Sequence, residues 1–508
     1  MARVGLELQK EFKESSIVST LKGSAYSTSV VLGPMLVVIL GYVAINILLD
    51  QSRIPYDERD LLTSIALYVF IFSLILTGPL STVISRYIAD SIFEERIEDV
   101  VPCYYTGLLV NLIVASAACI PFGIVTVVVG GADPLVIFVG VWMFYALFFV
   151  YYTMTYISAL KEYKSISYAF LVGILLGVAL TYISFSVLQW SFVLSVSTSY
   201  SVGFTYIAIR LYSLFTRFFT QNSRKYSLLL SYIRKHYILF FVNLFYIVGL
   251  FVHNFIFWHH SDYIIILAAT LRSAPIYDVA TFLAMLTNCT IMVLFTVRVE
   301  SNFHSKYQIY CQELIGGTGQ DIQKAKENMF MTLSKEIFYI IQIQAIISLI
   351  LFLVIVTLGP RFSFGGLVQY IYPALAAGYF ILFVMYCMII FLYYFQDYTG
   401  AMITAFTFLF FTAIFAYIST QMPVFLHGMG PIGGAFAAWS VGFARLRYIE
   451  KNIDTHIFCQ GTLLRKIIMS KGMIYKINEK AFITIAKKIK KYKFLNEHGI
   501  STPLRDGK

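Results

Sequence analysis

The sequence predicts an all-α polytopic membrane protein of about twelve transmembrane helices in two six-helix lobes. Three observations carry this. Apolar stretches, each long enough to cross a bilayer, fill the chain from Ala25 to Ile449. Only 13% of the 508 residues are charged while 59% are hydrophobic, too little polar surface for a soluble protein of this size. Basic residues crowd every second gap between the apolar stretches. A hydrocarbon core of roughly 30 Å needs about 20 apolar residues per helix, and lipid leaves no backbone group unpaired, so the stretches read as helices.

In chain order the spans read as 25–49, 61–85, 101–129, 135–159, 166–188, 192–215, 236–258, 277–301, 336–357, 370–394, 400–422 and 431–449. With both termini cytoplasmic, the inner segments hold 34 of the 38 Lys and Arg; the outer loops hold Arg53, Arg59, Arg272 and Arg361. The positive-inside rule therefore fixes which way round the chain sits in its membrane. The longest basic break, Arg210 to Lys235, separates the lobes. The organisation is an N-terminal segment 1–23, a lobe 24–215, a basic linker 216–235, a second lobe 236–449 and a tail 450–508. The segment 1–23 is mixed polar and no signal peptide is expected. A second inner loop, Asn302 to Lys335, is polar and has room for a short helix. Its Gly316-Gly317-Thr318-Gly319 is followed by no Lys-Ser/Thr and reads as a turn. In the tail, Phe482, Ile485, Ile489 and Tyr492 recur at helical spacing among Lys487, Lys488, Lys490 and Lys491, which predicts a basic amphipathic helix on anionic lipids at the inner leaflet.

The formal charge of +11 belongs to inner loops and does not point to nucleic acid. Cys103, Cys119, Cys289 and Cys387 fall in apolar runs, and Cys311 and Cys459 in inner segments, so no disulfide framework is expected. No hydrolase triad, metal cluster or nucleotide loop stands out. No catalytic activity, cofactor or resident metal is expected.

Polar groups inside a membrane are costly, so they mark candidate sites. Arg86, Asp90 and Glu94 share one helix face by their i, i+4 spacing, either as a salt-bridge ladder or as a cytoplasmic gate. Asp278, Thr281, Met285, Asn288 and Met292 form one stripe of span 8, which predicts an inward-looking face. Asp278 reads as an ion pair with Arg272 or as a cavity residue, and Arg298 and Glu300 close the inner end. His253, Asn254, Trp258, His259 and His260 end span 7; adjacent histidines do not share a helix face, so interfacial anchoring by Trp258 and the histidines is favoured over a zinc site. Gly173 and Gly177 predict close helix contact. Pro34, Pro79, Pro121, Pro373 and Pro431 mark kinks or helix ends. Tyr151-Tyr152 and Tyr393-Tyr394 are candidates for stacking on sugar, although interfacial belts use the same residue.

Several of these residues also carry a family resemblance. Val4-Gly5-Leu6-Glu7-Leu8-Gln9-Lys10, Gly33-Pro34, Leu74 to Gly78, Ser85-Arg86-Tyr87-Ile88-Ala89-Asp90, Phe93-Glu94, Phe255 to Trp258, Leu271-Arg272-Ser273, Tyr277-Asp278, Phe282 to Ala284 and Val297-Arg298-Val299-Glu300 occur in consistent order. With a weaker match at Phe391 to Asp397, this resembles the PelG family, the membrane component of Pel exopolysaccharide secretion. The chain departs at His253-Asn254, where the family tends to carry Asp-Lys, and lacks prolines near Ala280 and Thr290. The resemblance implies the fold of the multidrug/oligosaccharidyl-lipid/polysaccharide (MOP) transporter superfamily, and export of an amino-sugar polymer. It also implies a cytoplasmic glycosyltransferase and small membrane proteins as partners. The rival readings are a flippase for lipid-linked oligosaccharide, a small-molecule antiporter of the same superfamily and a membrane-embedded sugar transferase.

Overall fold

A computed structural model describes residues 54–160, 163–260, 262, 264–267, 270–298, 302–358 and 366–459. The first span, Gly33-Pro34, Glu300 and the lysine-rich tail lie outside the described residues. The remaining eleven spans are all helical. They are α1 (Tyr56–Phe93), α2 (Val100–Val128), α3 (Pro134–Ala159), α4 (Tyr163–Tyr182) and α5 (Phe192–Phe218), then, after a short α6 (Leu228–Lys235), α7 (Tyr237–His260) and α8 (Pro275–Arg298). A second short helix, α9 (His304–Gly316), precedes α10 (Gly319–Leu358), α11 (Leu367–Tyr394), α12 (Tyr398–Ser419) and α13 (Met429–Cys459). Among the described residues, nine helices are long and apolar enough to cross a membrane; α8, which carries the polar stripe, and α13 are not among them. A two-stranded antiparallel hairpin, β1 (Ile265–Leu267) and β2 (Leu271–Ser273), joins α7 to α8.

Local chemistry sets the boundaries. Asp133 caps α3 by accepting the Leu135 N–H at 2.9 Å, with Pro134 in the first helical position where no amide donor is required. Asp397 caps α12 in the same way, through the Gly400 N–H at 3.1 Å. Within α1, α2 and α11, Pro79, Pro121 and Pro373 sit inside continuous helices. The glycine pair of α4 permits backbone contact with α5: a Cβ on Gly173 would stand 2.9 Å from the Gly203 carbonyl, and one on Gly203 only 2.6 Å from the Gly173 carbonyl.

The inner loop expected to hold a short helix is more regular than the sequence suggested. Gly316-Gly317-Thr318-Gly319 is the turn between α9 and α10, pinned by Thr318 donating to Asp321 at 2.6 Å. At about 1.5 Å per residue, the 40 residues of α10 extend roughly 60 Å, twice a bilayer core. Its polar first half therefore stands clear of the lipid beside α9. Phe303, Tyr310, Met329, Phe330 and Leu333 are buried there; Phe303 meets Phe391 and Phe330 stacks on Phe395 at the end of α11. This apolar seam explains why a polar segment folds as a helical hairpin.

Two sets of helices are built largely from neighbours in sequence. In the first, α5 packs on α3 and α4, and α1 on α3 and α2; in the second, α7 packs on α12 and α8 on α11 and α10. The α1–α7 contact is the main seam between them. From Arg445 the described residues, to Cys459, form a separate unit, in which Arg447 pairs with Glu450 at 2.8 Å and the helix breaks at Asn452 (φ −118°, ψ 21°).

Candidate functional site

The seam between α1 and α7 runs from the β-hairpin at one end to the basic linker at the other. At mid-length the Asn243 amide donates to the Gly78 carbonyl at 2.5 Å, and the Ile247 side chain fills the space a Cβ on Gly78 would take. The two ends use different chemistry.

At the hairpin end the centre is Asp278, 5% exposed. Its Oδ1 accepts from Asn254 Nδ2 at 2.7 Å and from Trp258 Nε1 at 3.0 Å, and its Oδ2 accepts from the Ala274 N–H at 3.1 Å. All the donors are neutral. Arg272 is not one of them; its backbone holds the Tyr68 hydroxyl, accepting at 2.9 Å and donating at 3.2 Å. The sequence-level ion pair is therefore replaced by a hydrogen-bonded clasp. Asp278 lies one turn into α8, where it ties its own N-terminus to the last two turns of α7. Trp258, expected as an interfacial anchor, is 2% exposed: its N–H is spent on Asp278 and its ring stacks on Tyr68 of α1 at 4.9 Å between centroids. His253 is equally internal, with Nδ1 2.8 Å from the Tyr277 hydroxyl. His259 faces the Phe255 carbonyl at 2.9 Å, and His260 meets the Tyr417 ring. The α1 side is completed by Ser64 Oγ, 2.8 Å from Ser273 Oγ.

Deeper along the α8 stripe, Asn288 donates to the Tyr379 carbonyl of α11 at 2.9 Å and accepts from Gln344 of α10 at 2.9 Å. It therefore cross-links three helices. Thr281, between Asp278 and Asn288, is buried, and neither its hydroxyl nor the Tyr372 hydroxyl of α11 has a hydrogen-bond partner among the described residues. Arg298 ends α8, and its side chain and Glu300 lie outside the described residues.

At the basic end Arg86 and Asp90 stand one turn apart, Nε to Oδ2 3.8 Å, with side chains 30% and 44% exposed. Arg86 donates to the Tyr398 hydroxyl and lies over the same ring, 4.9 Å from its centroid. Asp90 accepts from the Tyr232 hydroxyl of α6 at 2.5 Å. One ion pair thus joins α1, the linker helix and the first residue of α12. Glu94 is not the third rung of a ladder: it lies just past the helix end and pairs with Arg96, which also reaches buried Asp99 at 3.5 Å.

Tyr398 and Tyr232 were missed in the sequence because each lies in an ordinary aromatic-rich run. The tyrosine pairs that were singled out are largely packing residues. Tyr152 is buried against Tyr104 and Tyr156, Tyr151 meets Phe70, and Tyr394 meets Phe303; Tyr393 packs beside Tyr398. An aromatic groove of about 460 Å³ lies elsewhere, walled by Tyr104, Tyr105, Trp142, Tyr145, Phe149 and Tyr212.

Comparison with known proteins follows the same division of fold and function. A family model described as "PelG: Putative exopolysaccharide Exporter (EPS-E)" matches residues 1–458. No curated protein matches the chain. A MATE protein crystallised in complex with MaL6 superposes with TM-score 0.58 at 15% identity, covering 85% of this chain and 97% of that one. A multidrug resistance MATE family transporter of the MOP superfamily, in its outward-facing conformation, gives 0.56 at 15% identity with the same coverage. A MOP superfamily transporter from Pyrococcus furiosus, whose binding pocket is described as reversed in polarity, gives 0.57 at 16% identity over 85% and 96%. At these identities the likeness is one of fold.

Proposed function

Because this chain belongs to the PelG family, we propose that it exports an amino-sugar exopolysaccharide of the Pel type across the bacterial cytoplasmic membrane. The chain is a multi-pass membrane protein of an exopolysaccharide-exporter family with the MOP transporter fold, a family and fold of transporters and not of enzymes. On the proposed reading both termini are cytoplasmic, and the polymer passes between the two helix sets, 24–215 and 236–449. A cytoplasmic glycosyltransferase and small membrane proteins act with it.

The observation that carries the reading is the contrast between the two ends of the α1–α7 seam. An exporter must part its lobes at one face while keeping them joined at the other. Arg86 joins the lobes through the Tyr398 hydroxyl, and Asp90 ties the linker to α1 through Tyr232, at a half-exposed site where ionic contacts are weak and exchange with water. We assign this junction to the cytoplasmic mouth of the path. Asp278 and Asn288, engaged on every side by neutral groups, are assigned to holding the helices that frame the path, and Thr281 to its wall. Arg298 and Glu300 are assigned to closing the inner end of span 8.

The test is deletion of the gene and complementation with the intact chain, followed by hexosamine analysis of surface polysaccharide. The expected result is loss of surface amino-sugar polymer on deletion and its return on complementation. Hexosamine at the parental level in the deletion strain would overturn the assignment of substrate.

A further inference from the structure

The basic linker is built as a surface and has no partner in the function proposed above. Between Glu162 and Asp262 the sequence contains no acidic residue. Within that interval Arg210, Arg217, Arg224, Lys225, Arg234 and Lys235 gather at one end of the bundle. All six are exposed, and among the described residues none forms an ion pair. The adjoining α1–α2 loop, with Glu94, Glu95, Glu98 and Asp99 against Arg96, offsets half of this charge. Its Glu94 and Asp99 are already engaged by Arg96.

These cations sit on a shaped support. The Ser223 N–H donates to the Glu98 carbonyl at 3.1 Å, and the Thr106 hydroxyl to the Tyr226 carbonyl at 3.0 Å. Leu229 is buried, close beneath Gly107. Arg224 takes a left-handed turn (φ 58°) closed by its N–H donating to Asn222 Oδ1 at 2.8 Å. Between the cations the exposed side chains are amphipathic or apolar: Phe218, Tyr226, Leu230 and Tyr237. Bases alternating with aromatic and aliphatic groups, where one membrane helix ends and the next begins, match a headgroup layer with acyl chains just above it.

We infer that the linker 217–237 is an anionic-phospholipid binding surface on the inner leaflet. The phosphodiesters are held by Arg224, Lys225, Arg234 and Lys235, and the exposed rings and Leu230 seat at the glycerol level. A free diphosphate offers the same charge but would leave those apolar side chains uncovered. Tyr232 of the same helix holds Asp90, so lipid bound here reaches the Arg86–Asp90 junction through one hydrogen bond. The inference rests on the sidedness proposed above only for the word "inner"; lipid binding itself is measured without it.

The experiment uses the full chain in detergent, with Lys487, Lys488, Lys490 and Lys491 changed to Gln so that the tail does not contribute. Short-chain phosphatidylglycerol and phosphatidylcholine are titrated and binding is read by native mass spectrometry. The first lipid should bind at least tenfold more tightly than the second. Changing Arg224, Lys225, Arg234 and Lys235 to Gln should remove that preference while the thermal unfolding midpoint stays within a few degrees. The same four changes to Lys or Arg, keeping charge, should retain it. Equal affinity for the two lipids, or a preference that survives neutralisation, overturns the inference. So does full displacement of the lipid by inorganic pyrophosphate at equal concentration, which would make the surface a diphosphate site. A neutralised variant that fails to fold leaves the parent protein's lipid preference and its salt dependence as the deciding measurement, with no fall in binding between low and high salt counting against the surface.

Discussion

The two ends of the α1–α7 seam join the same pair of helix sets and differ in almost every physical respect. At the hairpin end the two sets meet through neutral, largely buried contacts, Ser64 with Ser273 and Tyr68 with the Arg272 backbone and the Trp258 ring, backed by the buried Asp278 clasp within the second set. At the basic end the partners are charged, half-exposed and in contact with tyrosine hydroxyls that water can replace. Burial makes the first junction expensive to open, because the Ser64–Ser273 and Tyr68–Arg272 hydrogen bonds that cross between the sets would lose their partners in a medium without water, while the Asp278 clasp keeps the α7–α8 side of that junction rigid. Exposure makes the second cheap to open. A transporter that rocks about a fixed contact needs this asymmetry, and charge alone would have suggested the opposite, since the ion pair looks like the stronger tie.

The largest expected effect separates the ends by stability. Asp278→Ala leaves Trp258 Nε1, Asn254 Nδ2 and the Ala274 N–H buried without an acceptor, and should cost roughly 3–5 kcal/mol. Arg86→Ala should cost about 1 kcal/mol or less. Thermal unfolding of the two purified variants side by side measures the difference. Midpoints lowered equally would erase the distinction between a fixed end and an opening one.

Much of this arrangement was legible in the sequence and some of it was not. The helical spans among the described residues and the close α4–α5 contact follow from apolar runs and the Gly173–Gly177 pair, because each depends on near neighbours in the chain. The stripe of α8 was found for the same reason: the cost of Asp278 and Asn288 in lipid is a property of their own helix. Their partners were not found. Which donors face Asp278 depends on α7 being antiparallel to α8 with Trp258 turned inward, and a tryptophan near a helix end carries no sign of that rotation. Arg86 and Asp90 were visible as charges, while Tyr398, more than 300 residues away, was not. Polarity is written locally; pairing across a bundle is not.

A smaller effect sharpens the comparison at Asn254. Its amide donates to Asp278 at 2.7 Å from the facing helix α7. Asn254→Leu removes one charge-assisted hydrogen bond from a buried carboxylate and should cost about 1.5–3 kcal/mol. Asn254→Lys keeps a donor and adds a counter-charge, so its unfolding midpoint should lie well above that of the leucine variant. If lysine proves as damaging as leucine, the site selects for amide geometry and the clasp is not a general carboxylate–donor pair.

The smallest expected effect on stability falls at the basic end and bears most directly on export. Arg86 meets Tyr398 both at the hydroxyl and over the ring, at a half-exposed site, where such contacts contribute about 0.5–1 kcal/mol. A double-mutant cycle with Arg86→Gln and Tyr398→Phe isolates the pair, since neither change buries an unpaired charge. Unfolding midpoints should move little, with a coupling energy of about 0.5–1 kcal/mol on that scale. Surface polymer should move far more: a junction that opens and recloses in each cycle sets the balance between two arrangements of the lobes, and about 1.4 kcal/mol shifts that balance tenfold. The double variant should export no worse than the worse single one, because both changes loosen the same contact. Additive losses in export would mean that Arg86 and Tyr398 act separately, and that the half-exposed junction is not the part of the seam that opens.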